Sequence, residues 1–539
     1  MPRVLRFAPL FLLLSACGGG GGGAGGGQPA SAASEPAPAN TSRLATAGSQ
    51  RSIAAACPFS QNIGAARGDG LRIAAVNWLQ TVALDPAGGD TRLMAGKSVR
   101  VRVDILSNNG APLPSGHDLL VRDSSGACQR ISLSGPAQTP TAIDRDSLQT
   151  AYTADIPAAL VQPGLQLSIV LDDDNGRSAS EADQTYRVLA ADVAPATSEL
   201  VRIIPVRYQG FDGYVNSPKE LAALLVRMHP LSSVSTRFES VFSPPSLLGV
   251  SGNATFETMK AVLNDVDNRC HDLNGSQASA STAPKCLAVF PDNLVFRPAG
   301  DPRGKVVGLA YVGGISMLTE SVDSVDVMTV TSPYDSQDWL QFRAVTVAHE
   351  MGHLLDLQHA ACGGADGTDP RLYADGRLDG GAGYDSLRGF YFSSQRMGSD
   401  GKPLFSDLMS YCDKEWSSDR GYLAAMSYRT PVPGSTKAAP TSTTSARWLK
   451  VSRTASGWDV RKVDFAPATV AASDLGLGVL SNRGREHLPL VSAVIADAAA
   501  AGQGGPYYVN LGDRQVVAMQ LLKAGALVQD LSAAALKGP

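Results

Sequence analysis

The chain has 539 residues, 44% apolar and only 18% charged; it is too long for one compact domain and apolar enough to bury two or three cores. Lys plus Arg number 46 against 50 Asp plus Glu, a net charge of -4, so no whole-chain field favours nucleic acid or an anionic membrane surface. Partners must therefore be read from local sites.

Residues Met1 to Arg6 carry two arginines and lead into an apolar run ending at Leu14, a charged n-region and h-region too short to span a bilayer. The run closes in Leu14-Ser15-Ala16-Cys17, which resembles the bacterial lipobox and implies an acylated Cys17, with lipid as the only membrane attachment and an outer-membrane or cell-surface location. An ordinary signal cleaved near Ala16 is the simpler alternative. Residues 18–56 are almost pure Gly, Ala, Ser and Pro and read as an unfolded tether, with an r.m.s. reach of about 35 Å.

Of seven cysteines, six remain once Cys17 is set aside, an even number that suits disulfides in an exported chain. Domain order suggests Cys57 with Cys128, Cys270 with Cys286 and Cys362 with Cys412.

Residues 57–195 alternate with period two, as in Val99, Val101, Val103, Ile105 and Leu165, Leu167, Ile169, Leu171, and predict an antiparallel, Ig-like β-sandwich. The acidic turn Asp172 to Gly176 offers oxygen ligands for a structural calcium, but it lacks the alternating spacing of a calcium loop and reads as a solvated turn. From 197 to 430 strands and helices alternate, an α/β (α+β) region. Its expected strands are 200–208, 286–290, 306–312 and 325–331. A first helix is capped by Ser217, Pro218 and Glu220 as a capping box and ends at His229-Pro230. A second spans about 254–268, and a third starts near Ser336 with Trp339, Phe342 and Val345 on one side. Beyond His359 the chain reads as irregular to Tyr428. Residues 431–445 form a Pro/Ser/Thr linker, and 446–539 a small β-rich C-terminal domain.

The third helix carries His349-Glu350-Met351-Gly352-His353. Two histidines four apart stand about 40° from each other around a helix, so both imidazoles reach one point. Glu350 projects about 100° from His349, poorly placed to ligate the same ion but able to take a proton from a water beside it. His117, His229, His271 and His487 stand alone and read as surface or structural residues. A catalytic zinc needs a third protein ligand and one open position. No Glu lies between Met351 and Lys414, but His359 follows His353 by six residues. A continued helix would carry it to the wrong face, so the helix must break near Asp356.

The spacing His349-Glu350-x-x-His353 to His359, with Asp407-Leu408-Met409-Ser410-Tyr411 about fifty residues on, resembles the metzincin zinc peptidases. The segments around Cys362, Tyr384 and Cys412 are similar to secreted bacterial metzincins of the mucin-degrading and pappalysin-like type. This resemblance implies one catalytic zinc on His349, His353 and His359, Glu350 as general base, Met409 as a hydrophobic floor, and Tyr411 as an oxyanion stabiliser or a packed ring. The clan carries glycine where this chain has Asp356; Asp tolerates the left-handed conformation required there at a cost of about 1 kcal/mol. Tyr384 and Trp416 are candidates for lining the cleft or anchoring loops.

The sequence thus leads to a lipid-anchored endopeptidase acting on extracellular proteins or glycoproteins. Its rival is a surface binding protein or adhesin with an inactive zinc domain. A third reading makes the zinc structural, with Cys362 as a thiolate ligand. The oligomeric state is not encoded in any motif.

Overall fold

The computed structural model describes residues 70–532 except 87, 89–90, 114–116, 172–185, 276–278, 299–304, 324–341, 366–368, 413, 432–446, 455–456, 468–469 and 496–505. Cys17, Cys57, the tether, the acidic turn at 172–176, the expected strand at 325–331 and the start of the third helix lie outside the described residues. The architecture is mixed α/β and strand-rich, with four α-helices among the described residues: α1 Pro218–Met228, α2 Phe256–Asn274, α3 Phe342–Leu354 and α4 Asp419–Arg429. All described residues belong to one compact unit, Gly48–Pro539.

The central sheet runs Ser233–Phe238, Ser198–Pro205, Lys285–Phe290, Ser316–Glu320, Gly308–Ala310 in spatial order, the first four strands parallel and the last antiparallel. Parallel strands with helices on both faces bury both sets of side chains, and the alternation is visible here. Val201, Ile203, Leu287 and Val289 pack with α1 and α3, whereas Ile204, Cys286, Ala288 and Phe290 pack with α2. The disulfide Cys270–Cys286 staples α2 to the sheet. The Ser233–Phe238 strand, with its Ser, Thr and Arg, is an exposed edge that apolar patterning gave no reason to expect.

Preceding this sheet, two four-stranded antiparallel sheets face each other across one core that contains every residue of the two alternating runs. This sandwich is joined closely to the α/β region. Tyr422 and Met426 of α4 lie inside its core. Thr81 accepts hydrogen bonds at its carbonyl from Trp416 Nε1 (2.8 Å) and Tyr384 N (2.7 Å), and its hydroxyl donates to the carbonyl of Arg227 (2.8 Å). Buried Lys97 donates to the carbonyls of Val226 (2.6 Å) and His229 (2.9 Å), satisfying the last turn of α1.

At the C-terminal end a seven-stranded antiparallel sheet, Trp448 to Leu531, curls until its two edge strands approach at Gly457 and Gln529. It covers α2: Val463, Phe465 and Tyr508 complete the core on that face, and buried Lys450 pairs with Asp267 at 2.6 Å.

Several local expectations require correction. Ser217 and Pro218 do begin α1, but Ser217, at φ −124° and ψ 68°, makes no side-chain cap bond, so the capping box does not form. The second helix continues past Asn268 to Asn274 and takes Cys270 inside it. The segment after His359 is not irregular throughout. Ser418 caps α4 by accepting from Gly421 N at 3.0 Å, a helix hidden in the sequence by its interior glycine and few apolar positions.

Candidate metal centre

Helix α3 packs Val345, Ala348 and Met351 against the sheet and presents His349 and His353 one turn apart, 8% and 0% exposed. Their Nε2 atoms are 3.1 Å apart. Each Nδ1 lies 2.8 Å from a backbone carbonyl, Leu408 O for His349 and Leu357 O for His353. A carbonyl oxygen only accepts, so Nδ1 carries the hydrogen in both rings and the Nε2 lone pairs face each other. Two lone pairs at this distance repel unless a cation sits between them. Burial, followed by the neighbouring His359 and His349, holds His353 well below the usual histidine range and keeps it neutral.

The helix ends where the third histidine needs it to. Leu357 N donates to Gly352 O at 3.1 Å and Asp356 N to His353 O at 2.9 Å, the Schellman pair of bonds, with Asp356 in the left-handed region at φ 70°. Leu357 folds back into the core that also holds Met351. The chain therefore reverses, and the ligand atoms of His349, His353 and His359 all lie within 4.8 Å of one another. This is the one such grouping of His, Cys, Asp or Glu among the described residues. Three buried imidazoles, two of them oriented by backbone carbonyls, could together hold a metal ion.

Met409 is fully buried against Gly352 of α3. A β-carbon on Gly352 would overlap its sulfur, so the glycine is what lets the thioether close against the helix. The turn around Met409 is held by Asp407, whose Oδ1 accepts from Met409 N (2.8 Å) and whose carbonyl accepts from Ser410 N (3.0 Å). Backbone bonds Ala360 N to Met409 O (2.8 Å) and Tyr411 N to Cys362 O (3.0 Å) join this turn to the His359 segment. The disulfide Cys362–Cys412 closes the same junction. Cys362 is thus not a thiolate ligand.

Glu350 is 2% exposed and reaches toward the edge strand, where a β-carbon on Gly308 would overlap its carboxylate. Tyr411 is the open wall: 45% exposed, its hydroxyl 3.1 Å from His359 Nε2 and its ring stacked on His349 at 5.9 Å. Tyr384 and Trp416 are 3% and 1% exposed and serve as anchors against the sandwich, not as cleft lining. His229 is also buried, with Nε2 2.9 Å from Ala348 O, and burial pushes its pKa down to about 3, a structural histidine.

Spacing alone did not reveal the backbone acceptors Leu357 and Leu408, nor the ionic group of Asp356, Asp369 and Arg371 beside the turn. The carbonyls carry no side-chain signature, and an Asp-x-Arg pair is common on any surface. Comparison with known proteins finds no matching family model and no matching curated protein.

Proposed function

We propose that this chain is a zinc-dependent endopeptidase of the metzincin type. The observation that carries the reading is the reversal at Asp356, which brings His359 to the two helix histidines. Three nitrogen ligands with an open side suit a catalytic zinc better than a structural one, which fills all four positions with protein groups. When bound there, zinc supplies Lewis acidity to a water and to the scissile carbonyl.

The protein's own groups handle the protons and the developing charge. Glu350, nearly dehydrated against Gly308, accepts a proton from the attacking water as its oxygen bonds to the carbonyl carbon. It returns that proton to the departing amine when the C–N bond breaks. Tyr411, half-exposed beside His359, donates its hydroxyl hydrogen to the oxyanion that develops on the former carbonyl oxygen. Leu357 and Leu408 hold the histidine tautomers throughout.

The substrates in this reading are extracellular proteins or glycoproteins. The run at Leu14 to Cys17 supports export and lipid anchoring, and the bridges Cys270–Cys286 and Cys362–Cys412 suit an oxidising compartment. Metal analysis combined with digestion of denatured casein by the wild type and Glu350→Ala tests it. Zinc at one equivalent, and turnover lost with Glu350 or with a chelator, is expected. Equal, chelator-insensitive turnover by both proteins would overturn the mechanism, and zinc without turnover would favour a binding protein.

A further inference from the structure

The turn from α3 to His359 carries two penalties at one residue. Asp356 holds φ 70°, a conformation that a β-carbon resists and glycine adopts freely. Its carboxylate also stands at the negative, C-terminal end of the α3 dipole, where an anion is disfavoured. Both oppose the one turn that brings the third histidine to the other two.

Arg371 meets both. Its Nη1 lies 3.2 Å from Asp356 Oδ2, and Nη2 donates to the Asp356 carbonyl. The other edge of the guanidinium grips Asp369, Nε to Oδ1 at 2.9 Å and Nη2 to Oδ2 at 2.6 Å. The Asp369 side chain is 1% exposed; its Oδ2 accepts from Gln358 N at 3.1 Å, and its own N–H donates to the His359 carbonyl at 2.6 Å. Burial works against the Asp369 carboxylate, but the bonds from Arg371 and from the backbone outweigh it and depress its pKa. One planar cation therefore spans the first residue of the turn and, through Asp369, the last two. A lysine has no second edge with which to do this.

We infer that Arg371 is a positioning residue for the third histidine: it holds Asp356 in the left-handed conformation and Asp369 against Gln358 and His359, and so fixes the His359 imidazole relative to His349 and His353. This rests on the trio being a metal site. It also accounts for how an aspartate can occupy a position where backbone geometry favours glycine.

The test is zinc affinity of the full chain, measured by competition with a chromophoric chelator, alongside the visible spectrum of the cobalt(II) form. Arg371→Ala is expected to weaken zinc binding about ten- to a hundredfold, the range for groups that orient ligands, and to alter the cobalt spectrum. Arg371→Lys, which keeps the charge beside buried Asp369 and so protects the fold, is expected to weaken it as well. Asp356→Gly is expected to stay near wild type, and Arg371→Ala to cost less in that background, because glycine needs no help at φ 70° and only the hold on Asp369 is then lost. Wild-type affinity in Arg371→Lys, or an equal loss from Arg371→Ala with and without Asp356→Gly, would overturn the inference. A wild-type chain that binds no zinc would instead remove the metal-site reading on which it stands.

Discussion

Gly352 lies so close to the sulfur of Met409 that no β-carbon fits between them. Helix and turn are in contact through a hydrogen atom, and that contact sets the depth at which Leu408 meets His349. Gly352→Ala is therefore expected to push the Met409 turn outward. Overpacking a core of this kind costs about 1–3 kcal/mol, and the displaced Leu408 carbonyl should also weaken metal binding. Urea unfolding with and without zinc measures both; unchanged stability together with unchanged zinc affinity would show that the contact is not tight.

Asp407 gives a pH dependence of defined sign. Burial, the largest influence, pushes its carboxyl up to about 6 from 3.8 despite bonds from Ser418 and Met409 N. Between those values the native state holds a proton that the unfolded state has released, so stability falls as pH rises from about 4 to about 6. The loss is on the order of 3 kcal/mol at most. Asp407→Asn keeps an acceptor for Met409 N but cannot ionise. With metal chelated, its stability relative to wild type should grow between pH 4 and pH 7; parallel curves would show that Asp407 does not titrate in this range.

The Cys362–Cys412 bridge closes a loop of sequence separation 50, for which chain entropy gives about 4 kcal/mol of stabilisation. It also pins Tyr411 beside His359. The double variant Cys362→Ser, Cys412→Ser should unfold at lower urea and bind zinc more weakly. The second effect separates a role at the site from one in overall stability, since stability alone leaves the affinity of the folded fraction untouched.

The parts of this fold written in side-chain periodicity were legible in the sequence. Val99 to Ile105 and Leu165 to Leu171 alternate because each sandwich sheet buries one face, and His349 with His353 reads as a pair because four residues nearly complete a helical turn. The need for a helix break at Asp356 came from the same arithmetic, and the residue does adopt a positive φ. What could not be read depends on groups that are identical at every residue or on distant partners. The carbonyls of Leu357 and Leu408 are of the first kind. The polar edge strand Ser233–Phe238 is of the second, paired only because Ser198–Pro205 lies beside it. Helix α4 was missed for a related reason, since Tyr422 and Met426 are apolar for the sake of the sandwich core, not the sheet that precedes them.

That interlocking bears on when the centre can form. The sheet edge next to α3 is bonded to the chain's far end, with Val312 N donating to Val494 O at 3.0 Å, while Thr81 braces the opposite side through Trp416 and Tyr384. More than four hundred residues separate those two supports in sequence. Contacts of such long range close late in folding. A chain still emerging from synthesis or export would hold its histidines on an unbraced helix, so the centre is expected to mature only once the final β-strands have arrived.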